Sequence, residues 1–365
     1  MDDPKRANNT ALGRRGFLKA GAGIGAAGLA LSPVPQAVAR PLTEKEKLAR
    51  IASNTWPIRY IFKSRTRFGS NQQTSEIKKK YGEITMLDFP QFTKDTFPGV
   101  THMDLFSGLF GDVTDDSMYV GVPLLVGTAT RVTQEFDPSS EAGKRWLDKL
   151  ANKMATTGTK CQHISNNAPR DICDPDTEKR KAGIEVAKKW LDGAAMLGTK
   201  SMRVNSGGPR IAPSSVVIGG DYPKADELAK LLANCIESFK EMADHGAKVG
   251  VKVTLENHWG LTANPMNIRI IVDEVHSPFC EASPDFCNWE HEYLMYNGLK
   301  ALAPYAHTNV HAKYWSRWKD NNVGRSVKIV NDGGFEGTFA LEYEEGPWDG
   351  IEGSKYLYKE VLAAL

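Results

Sequence analysis

Four short segments of the chain share one design, in which a run of apolar or β-branched residues ends abruptly in a polar side chain. In residues 253–260, Val-Thr-Leu leads into Glu256, and a glycine closes the segment. The design recurs in residues 283–288, 308–313 and 337–346. Such runs are typical of buried strands that end in a turn. Each segment is therefore predicted to place its polar residue at the C-terminal end of a strand.

The polar residues that end these segments are two glutamates, an aspartate and a histidine. They are Glu256, Asp285, His311 and Glu342. Carboxylate oxygens together with an imidazole nitrogen suit a divalent cation. The residue types therefore predict an oxygen-rich metal site, provided that the four strands bring them together.

Strand-like and helix-like segments alternate along the chain. Eight strands are predicted at residues 50–53, 101–105, 160–164, 201–205, 251–256, 279–282, 307–311 and 338–342. Helices are predicted at residues 87–97, 141–156, 177–197, 225–248, 264–275, 289–302 and 351–364. The remaining predictions are an irregular region up to residue 80, a loop interrupted by an apolar run at 118–125, an active-site loop at 206–222 and an undefined segment at 323–330.

This alternation favours a single (β/α)8 TIM barrel over a doubly wound open sheet. In a closed parallel barrel every strand delivers its C-terminal residues to the same mouth, so the four polar residues can surround one ion. An open sheet would spread them along an edge. No glycine-rich phosphate fingerprint follows the first strand, and the turn at residues 205–208 is too weak a signal to imply a nucleotide.

The N-terminal segment has the composition of an export signal. Arg14 and Arg15 precede Phe-Leu-Lys, a weakly apolar run covers residues 20–31, and Ala37-Val38-Ala39 forms a cleavage site. The paired arginines resemble a twin-arginine signal, which implies export through the twin-arginine (Tat) machinery to the periplasm. A Sec signal and an uncleaved anchor are the alternatives. The predicted organisation is a signal at residues 1–39, a leader and first strand at 40–83, and the remainder of the barrel at 84–365.

The composition of the chain limits the classes of partner that it is expected to bind. At 365 residues, with 41% hydrophobic and 25% charged content, the chain is large enough for one α/β barrel or two smaller domains. No internal run is long and apolar enough to predict a membrane span in the mature protein. Without the expected signal, 41 basic residues stand against 42 acidic ones, a balance that gives no reason to expect nucleic acid.

The four strand-end motifs together resemble one known family. The tetrapeptides Leu-Glu-Asn-His at 255–258, Ser-Pro-Asp-Phe at 283–286, Val-His-Ala-Lys at 310–313 and Ala-Leu-Glu-Tyr at 340–343 are similar to those of the sugar isomerase/epimerase family with a xylose-isomerase-like TIM barrel, which includes ketose 3-epimerases. The likeness covers residues 84–365. It implies that Glu256, Asp285, His311 and Glu342 bind one divalent cation, which would be Mn²⁺, Mg²⁺ or Co²⁺, with Zn²⁺ as the alternative.

The resemblance also implies a reaction. A metal-stabilised enediolate would form when a carbon of an unphosphorylated sugar loses its proton. Glu256 and Glu342 would be the catalytic pair, one removing the proton and the other returning it to the opposite face.

The sequence departs from the family pattern at Asn288, because family members commonly have a histidine at this position. The extra histidines and the aspartate of the three-zinc endonuclease branch are also missing, which argues against DNA as substrate.

Five further residues near the strand ends are predicted to bind substrate, three of them with a structural alternative. His258 could instead hold a loop, Arg203 could form an internal salt bridge, and Lys313 could be solvated. Asn205 alternates with Arg203 on the fourth strand, and Asn288 follows Asp285 by three positions.

Three functions remain open at this point. The first is an isomerase or epimerase of a free sugar. The second is a metal-dependent lyase or hydrolase acting on an oxidised (3-keto) glycoside, and the third is a non-catalytic carbohydrate-binding barrel. In each case the partner is a small carbohydrate, and the sequence leaves open a homo-oligomer.

Overall fold

The computed structural model describes residues 40–65, 72–126, 129–208 and 225–365. Ten strands lie in these ranges: β1 (Ile51–Asn54), β2 (His102–Phe106), β3 (Tyr119–Val126), β4 (Ala129–Phe136), β5 (Lys160–Ser165), β6 (Ser201–Arg203), β7 (Lys252–Leu255), β8 (Cys280–Ala282), β9 (Asn309–Trp315) and β10 (Thr338–Glu345). Eight of them form one parallel sheet in the order β8-β7-β6-β5-β2-β1-β10-β9. The predicted barrel and its eight strands are confirmed.

The sheet closes into a ring between its two outer strands, β8 and β9. The residues that join them are Asp285 and His311, which form a parallel bridge. The amide of Phe286 donates to the carbonyl of His311 at 3.1 Å, and the amide of His311 donates to the carbonyl of Pro284 at 3.0 Å. Closure gives the parallel strands a common mouth at their C-terminal ends.

Helices alternate with the barrel strands. They are α1 (Glu44–Leu48), α2 (Gln72–Tyr81), α3 (Phe89–Thr96), α4 (Glu141–Thr157), α5 (Thr177–Met196), α6 (Ala225–Val249), α7 (Pro265–Val275), α8 (Glu292–Leu302), α9 (Val323–Asp332) and α10 (Gly350–Ala364). From α5 to α10 each helix contacts the next one along the chain. Within the described ranges, none has both the length and the apolar character that crossing a bilayer requires.

Helix α4 illustrates why these segments are helical. Its apolar residues recur at helical spacing, and Trp146, Leu150 and Met154 are all buried. The Ser140 side chain accepts from the amide of Gly143 and so satisfies a free amide at the N-terminus. Gly158 ends the helix with a φ of 69°, a conformation that suits glycine.

Three segments differ from the sequence prediction. The region expected to be irregular up to residue 80 contains α2, which is strongly polar and anchors itself to the core through Ile77 and Tyr81, four residues apart. The undefined segment at 323–330 belongs to α9. The apolar run at 118–125 forms β3, which pairs antiparallel with β4 and stands apart from the barrel sheet. Short or polar segments carry too weak a periodicity to be assigned from sequence alone.

Two predictions fall wholly or mainly outside the described residues. The export signal at residues 1–39 is one, and the larger part of the predicted active-site loop at 206–222 is the other.

Candidate functional site

Alternate residues of the barrel strands point into the barrel, because side chains on a strand change face at every position. On β9 these residues are Asn309, His311 and Lys313, and on β10 they include Glu342 and Glu344. Because the side chains alternate in this way, each of these two strands places several polar side chains inside the barrel near its mouth.

The predicted metal ligands converge there. Glu256, Asp285 and His311 each offer one ligand atom, and these three atoms lie within 4.8 Å of one another. The Nδ1 atom of His311 is 3.4 Å from a carboxylate oxygen of Glu256 and 3.8 Å from one of Glu342. Four separate segments thus bring their polar residues to one place.

Two ligand atoms in this cluster are buried without a hydrogen bond. They are Oδ2 of Asp285 and Nδ1 of His311. The ammonium of Lys313 lies 3.1 Å from Oδ2 of Asp285, but not in a direction that makes a hydrogen bond. Buried polar atoms without partners are costly unless something else binds them. Atoms of this type at this spacing fit a divalent cation.

The loop that carries Asp285 is held rigidly. Oδ1 of Asp285 accepts from the amides of Cys287 at 2.6 Å and Asn288 at 2.9 Å, which leaves Oδ2 directed elsewhere. The side chain of Asn257 accepts from the amide of Asp285 at 2.7 Å and donates to the carbonyls of Asp285 and Asn288. Asn257 follows Glu256 directly, so the end of β7 positions a second ligand segment.

Asp104 orients His311. One oxygen of Asp104 lies 2.8 Å from Nε2 of His311, and Ser165 and Asn309 donate to the same carboxylate. A carboxylate on one ring nitrogen directs the other nitrogen toward a metal. The sequence prediction missed Asp104. The sequence feature that could have identified it is a single carboxylate between two apolar residues, Met103 and Leu105, in the middle of strand β2.

Two cations pair with the glutamates. Arg203 contacts Glu256 at 2.5 Å, so the predicted internal salt bridge is present, and Asn288 donates to the other oxygen of Glu256 at 2.8 Å. Lys313 lies 2.7 Å from Glu342 and 3.1 Å from Asp285. Neither cation is solvated, since both side chains are more than nine-tenths buried.

Glu344, two residues beyond Glu342 on β10, also belongs to the site. It accepts from the indole of Trp56 at 2.7 Å and lies 3.5 Å from Lys313 and 3.6 Å from Arg59. The alternation of β10 continues past Glu342, so Glu344 points inward as well.

The charges in this region do not balance among the described residues. The carboxylates are Asp104, Glu256, Asp285, Glu342 and Glu344, and the permanent cations in contact with them are Arg59, Arg203 and Lys313. These carboxylates outnumber the permanent cations by two, and a protonated His311 offsets one of the two charges. A bound divalent cation would supply the missing compensation, because buried carboxylates are stable only when they are compensated.

The pKa shifts follow from burial and from these partners. Burial raises the pKa of Asp285 to about 7, with Glu342 and Glu256 adding to the rise and Lys313 opposing it. Burial disfavours the charged form of Glu256, but Arg203 holds its pKa well below the usual value. Burial likewise disfavours a charged His311, yet Glu256 and Glu342 raise its pKa well above the ordinary one.

A cavity opens beside the cluster. It is lined by Trp56, Phe106, Ser165, Asn167, Arg203, His258, Trp259, Asn288, Lys313, Trp315, Glu342 and Glu344. Four of the five predicted substrate-binding residues are among them. Asn205 is the exception: it does not line the cavity, and its amide donates to the side chain of Asn167, which does, at 3.4 Å. Burial lowers the pKa of His258 to about 3, so its ring faces the cavity uncharged near neutral pH.

Comparison with solved structures finds the same fold. The chain resembles a 3-keto-D-glucoside 4-epimerase from E. coli, with a TM-score of 0.54, 12% identity, and coverage of 85% of this chain and 99% of that one. It resembles an L-ribulose 3-epimerase with a TM-score of 0.53, 14% identity, and coverage of 87% and 94%. At these identities the likeness establishes the shared fold.

A third solved structure resembles the chain to the same degree. It is a xylose isomerase-like TIM barrel protein from Mycobacterium smegmatis in complex with magnesium, with a TM-score of 0.51, 15% identity, and coverage of 87% and 98%. No curated protein matches the chain by sequence. Residues 125–364 match the family described as "Xylose isomerase-like TIM barrel". Because the match spans most of the sequence, the chain belongs to the xylose isomerase-like TIM barrel family.

Proposed function

We propose that the chain is a divalent-metal-dependent isomerase or epimerase of an unphosphorylated sugar. The observation that carries the proposal is the convergence of Glu256, Asp285, His311 and Glu342, with two of their buried ligand atoms lacking hydrogen bonds. Family membership and the sugar epimerases among the structural neighbours support the reaction class.

The four converging side chains would hold the ion, with Asp104 keeping Nδ1 of His311 directed toward it. A divalent cation bound there would polarise a sugar carbonyl and stabilise the negative charge that develops when the adjacent carbon loses its proton. The excess of carboxylates over fixed cations supports a divalent ion in this role.

Glu342 is the more accessible of the two glutamates. It lines the cavity, whereas Glu256 is 2% exposed and is held behind Arg203 and Asn288. Lys313 fixes one oxygen of Glu342. Each carboxylate is held at a defined position, so one of the two glutamates can remove the proton from the sugar, and the other, after taking up a proton from solvent, can return one to the opposite face.

The cavity supports a neutral carbohydrate as ligand. Trp56, Trp259 and Trp315 supply aromatic surface for a sugar ring, and Asn167 and Asn288 supply amides for its hydroxyl groups. Arg203 and Lys313 are already paired with carboxylates, so neither is free to bind a phosphate.

The variants Glu256→Gln and Glu342→Gln test the acid and base assignment. Each is expected to lower the rate of solvent deuterium incorporation into the sugar by about 10²–10⁴-fold, the usual contribution of a general acid or base. Elemental analysis of each variant separates loss of proton transfer from loss of the ion.

Glu336→Gln, a change at an exposed glutamate, is the matched control and should leave the rate unchanged. Full exchange in both site variants would refute the assignment.

Mass analysis of the products distinguishes the reaction classes, because epimerisation conserves mass whereas a lyase acting on a 3-keto glycoside would release the aglycone. A protein that binds sugar but exchanges no deuterium would instead be a carbohydrate-binding barrel.

We further propose that residues 1–39 direct the protein to the periplasm through the twin-arginine machinery. The support is the sequence alone: the adjacent Arg14 and Arg15, the weakly apolar run after them and the Ala-Val-Ala site.

A further inference from the structure

A larger cleft continues from the candidate site. The inner cavity has a volume of about 150 Å³, and the outer cleft has about 810 Å³. Phe106 and Asn167, at the mouth ends of β2 and β5, line both of them. Small-molecule sites usually have volumes of about 300–1,000 Å³. The inner cavity alone is below that range, so a ligand that occupies it has room to extend past the shared wall.

The far wall of the outer cleft includes the β3–β4 pair. Tyr119 is opposite Phe136 and Gly121 is opposite Gln134 in the ladder, so these residues share one face of the pair. Tyr119, Gln134 and Phe136 also line the cleft. On the same face Val132 is 68% exposed and adds apolar surface to the lining of the cleft.

Charges at the cleft argue against an anionic ligand. Arg170 lies 2.7 Å from Glu135, and Arg65 lies 2.5 Å from Asp116. The guanidinium of Arg65 also lies over the ring of Tyr119 at 4.1 Å. A phosphate would have to compete with these carboxylates, whereas a neutral ligand leaves the pairs intact. Apolar and aromatic surface combined with Gln134 and Asn167 suits a second sugar ring or a similar neutral group.

Part of this wall is formed by residues outside the family match. Arg65, Phe106, Phe110 and Tyr119 all precede residue 125, where the match begins. The outer cleft is therefore built in part by the N-terminal portion of this chain. It can give the protein a substrate preference that the matched family region alone would not determine.

We propose that the substrate is a neutral disaccharide, with the reducing sugar, which supplies the carbonyl for the reaction, in the inner cavity and the second unit in the outer cleft. This inference rests on the function proposed above for the inner cavity. The ligand class follows from the shared wall, the volume, and the paired arginines.

Calorimetric titration of the full chain tests the inference. The probes are glucose, methyl β-glucoside, cellobiose and glucose 6-phosphate, together with galactose, methyl β-galactoside and lactose. In at least one series the disaccharide is expected to bind about tenfold more tightly than the monosaccharide, which corresponds to about 1.4 kcal/mol. The phosphorylated sugar should bind no better than glucose.

A matched pair of variants locates the second unit. Gln134→Trp places an indole on the cleft face of β4 and should abolish the advantage of the disaccharide while leaving monosaccharide affinity unchanged. Met196→Trp is the control, because Met196 is 36% exposed at the end of α5 and does not line the cleft. Circular dichroism of both variants verifies that they remain folded.

Three results would overturn the inference: equal affinities for monosaccharide and disaccharide in both series, an unchanged disaccharide affinity in Gln134→Trp, or preferential binding of glucose 6-phosphate.

Deuterium exchange distinguishes failure of the second subsite from failure of the proposed function. Monosaccharides that exchange deuterium as efficiently as disaccharides would leave the function standing and remove the second subsite. Absence of both binding and exchange for every probe would remove both.

Discussion

At the scale of single residues, Asp104 and His311 show how much of the site depends on a side chain that touches no substrate. Asp104 is completely buried and contacts the ring nitrogen of His311 that faces away from Glu256 and Glu342. Burial disfavours the charged form of Asp104, yet His163 and His311 hold its pKa below the usual value. The carboxylate is therefore charged and fixes the direction in which Nδ1 points.

The isosteric change Asp104→Asn tests this role. It removes the charge and keeps the volume, so the expected result is a loss of divalent-cation affinity of about 10–100-fold with the fold retained. Titration with Mn²⁺ measures the affinity without reference to activity. Asn309→Ala is the control, because it removes one hydrogen bond to Asp104 and keeps the carboxylate. Unchanged affinity in Asp104→Asn would show that His311 is oriented by other contacts.

At the scale of elements, one carboxylate joins the last helix to the second. Asp349 caps α10 by accepting from the amides of Ile351 and Glu352, both at 3.0 Å. Its other oxygen accepts from Lys80 and Tyr81 of α2, both at 2.8 Å. The strongly polar α2 is thus tied to a well-packed helix through a residue far away in the sequence.

Asp349→Ala is therefore expected to lower the free energy of unfolding by about 1–2 kcal/mol, the range for an N-cap whose loss is not compensated. Asp176→Ala is the control, because Asp176 caps α5 through two amides and, among the described residues, its side chain forms no hydrogen bond or ion pair with a second helix. Urea unfolding of both variants measures the difference. Equal losses would mean that the contacts with α2 contribute nothing.

The pH dependence of this loss has a defined sign. Burial acts to raise the pKa of Asp349, but Lys80, Tyr81 and the amide of Glu352 hold it below its usual value of 3.8. A carboxyl group with a lowered folded-state pKa contributes stability above its unfolded value and loses that contribution as the pH falls through the folded one. The difference between wild type and Asp349→Ala should thus be full near about pH 7 and shrink below about pH 4.

At the scale of the whole molecule, the expected export signal and the barrel can be separated experimentally. Changing Arg14 and Arg15 together to lysine should keep the protein in the cytoplasm if the twin-arginine machinery recognises the pair. Fractionation of bacterial cells followed by detection of the chain measures this. Continued export of the double variant would favour a Sec signal instead.

The barrel and the four converging residues could be predicted because both depend on simple periodicities. Strand-like runs alternate with helical ones, and a parallel barrel brings strand ends to one mouth whatever its loops contain. The contacts that orient the site residues, such as that of Asp104 with His311, could not be predicted, because they depend on the register in which neighbouring strands pair. Between β2 and β5 the pairing shifts from Met103 with Cys161 to Asp104 with His163. Such an irregularity places Asp104 beside His163 and leaves no mark in either strand's sequence.

The bridge that closes the ring of strands consists of Asp285 and His311, two of the residues assigned to the ion. The main-chain hydrogen bonds of that bridge hold the two side chains next to each other, so closing the ring also sets the spacing of two candidate ligands. Substitutions at Asp285 or His311 keep these main-chain groups and should therefore remove a candidate ligand while the ring of strands stays closed.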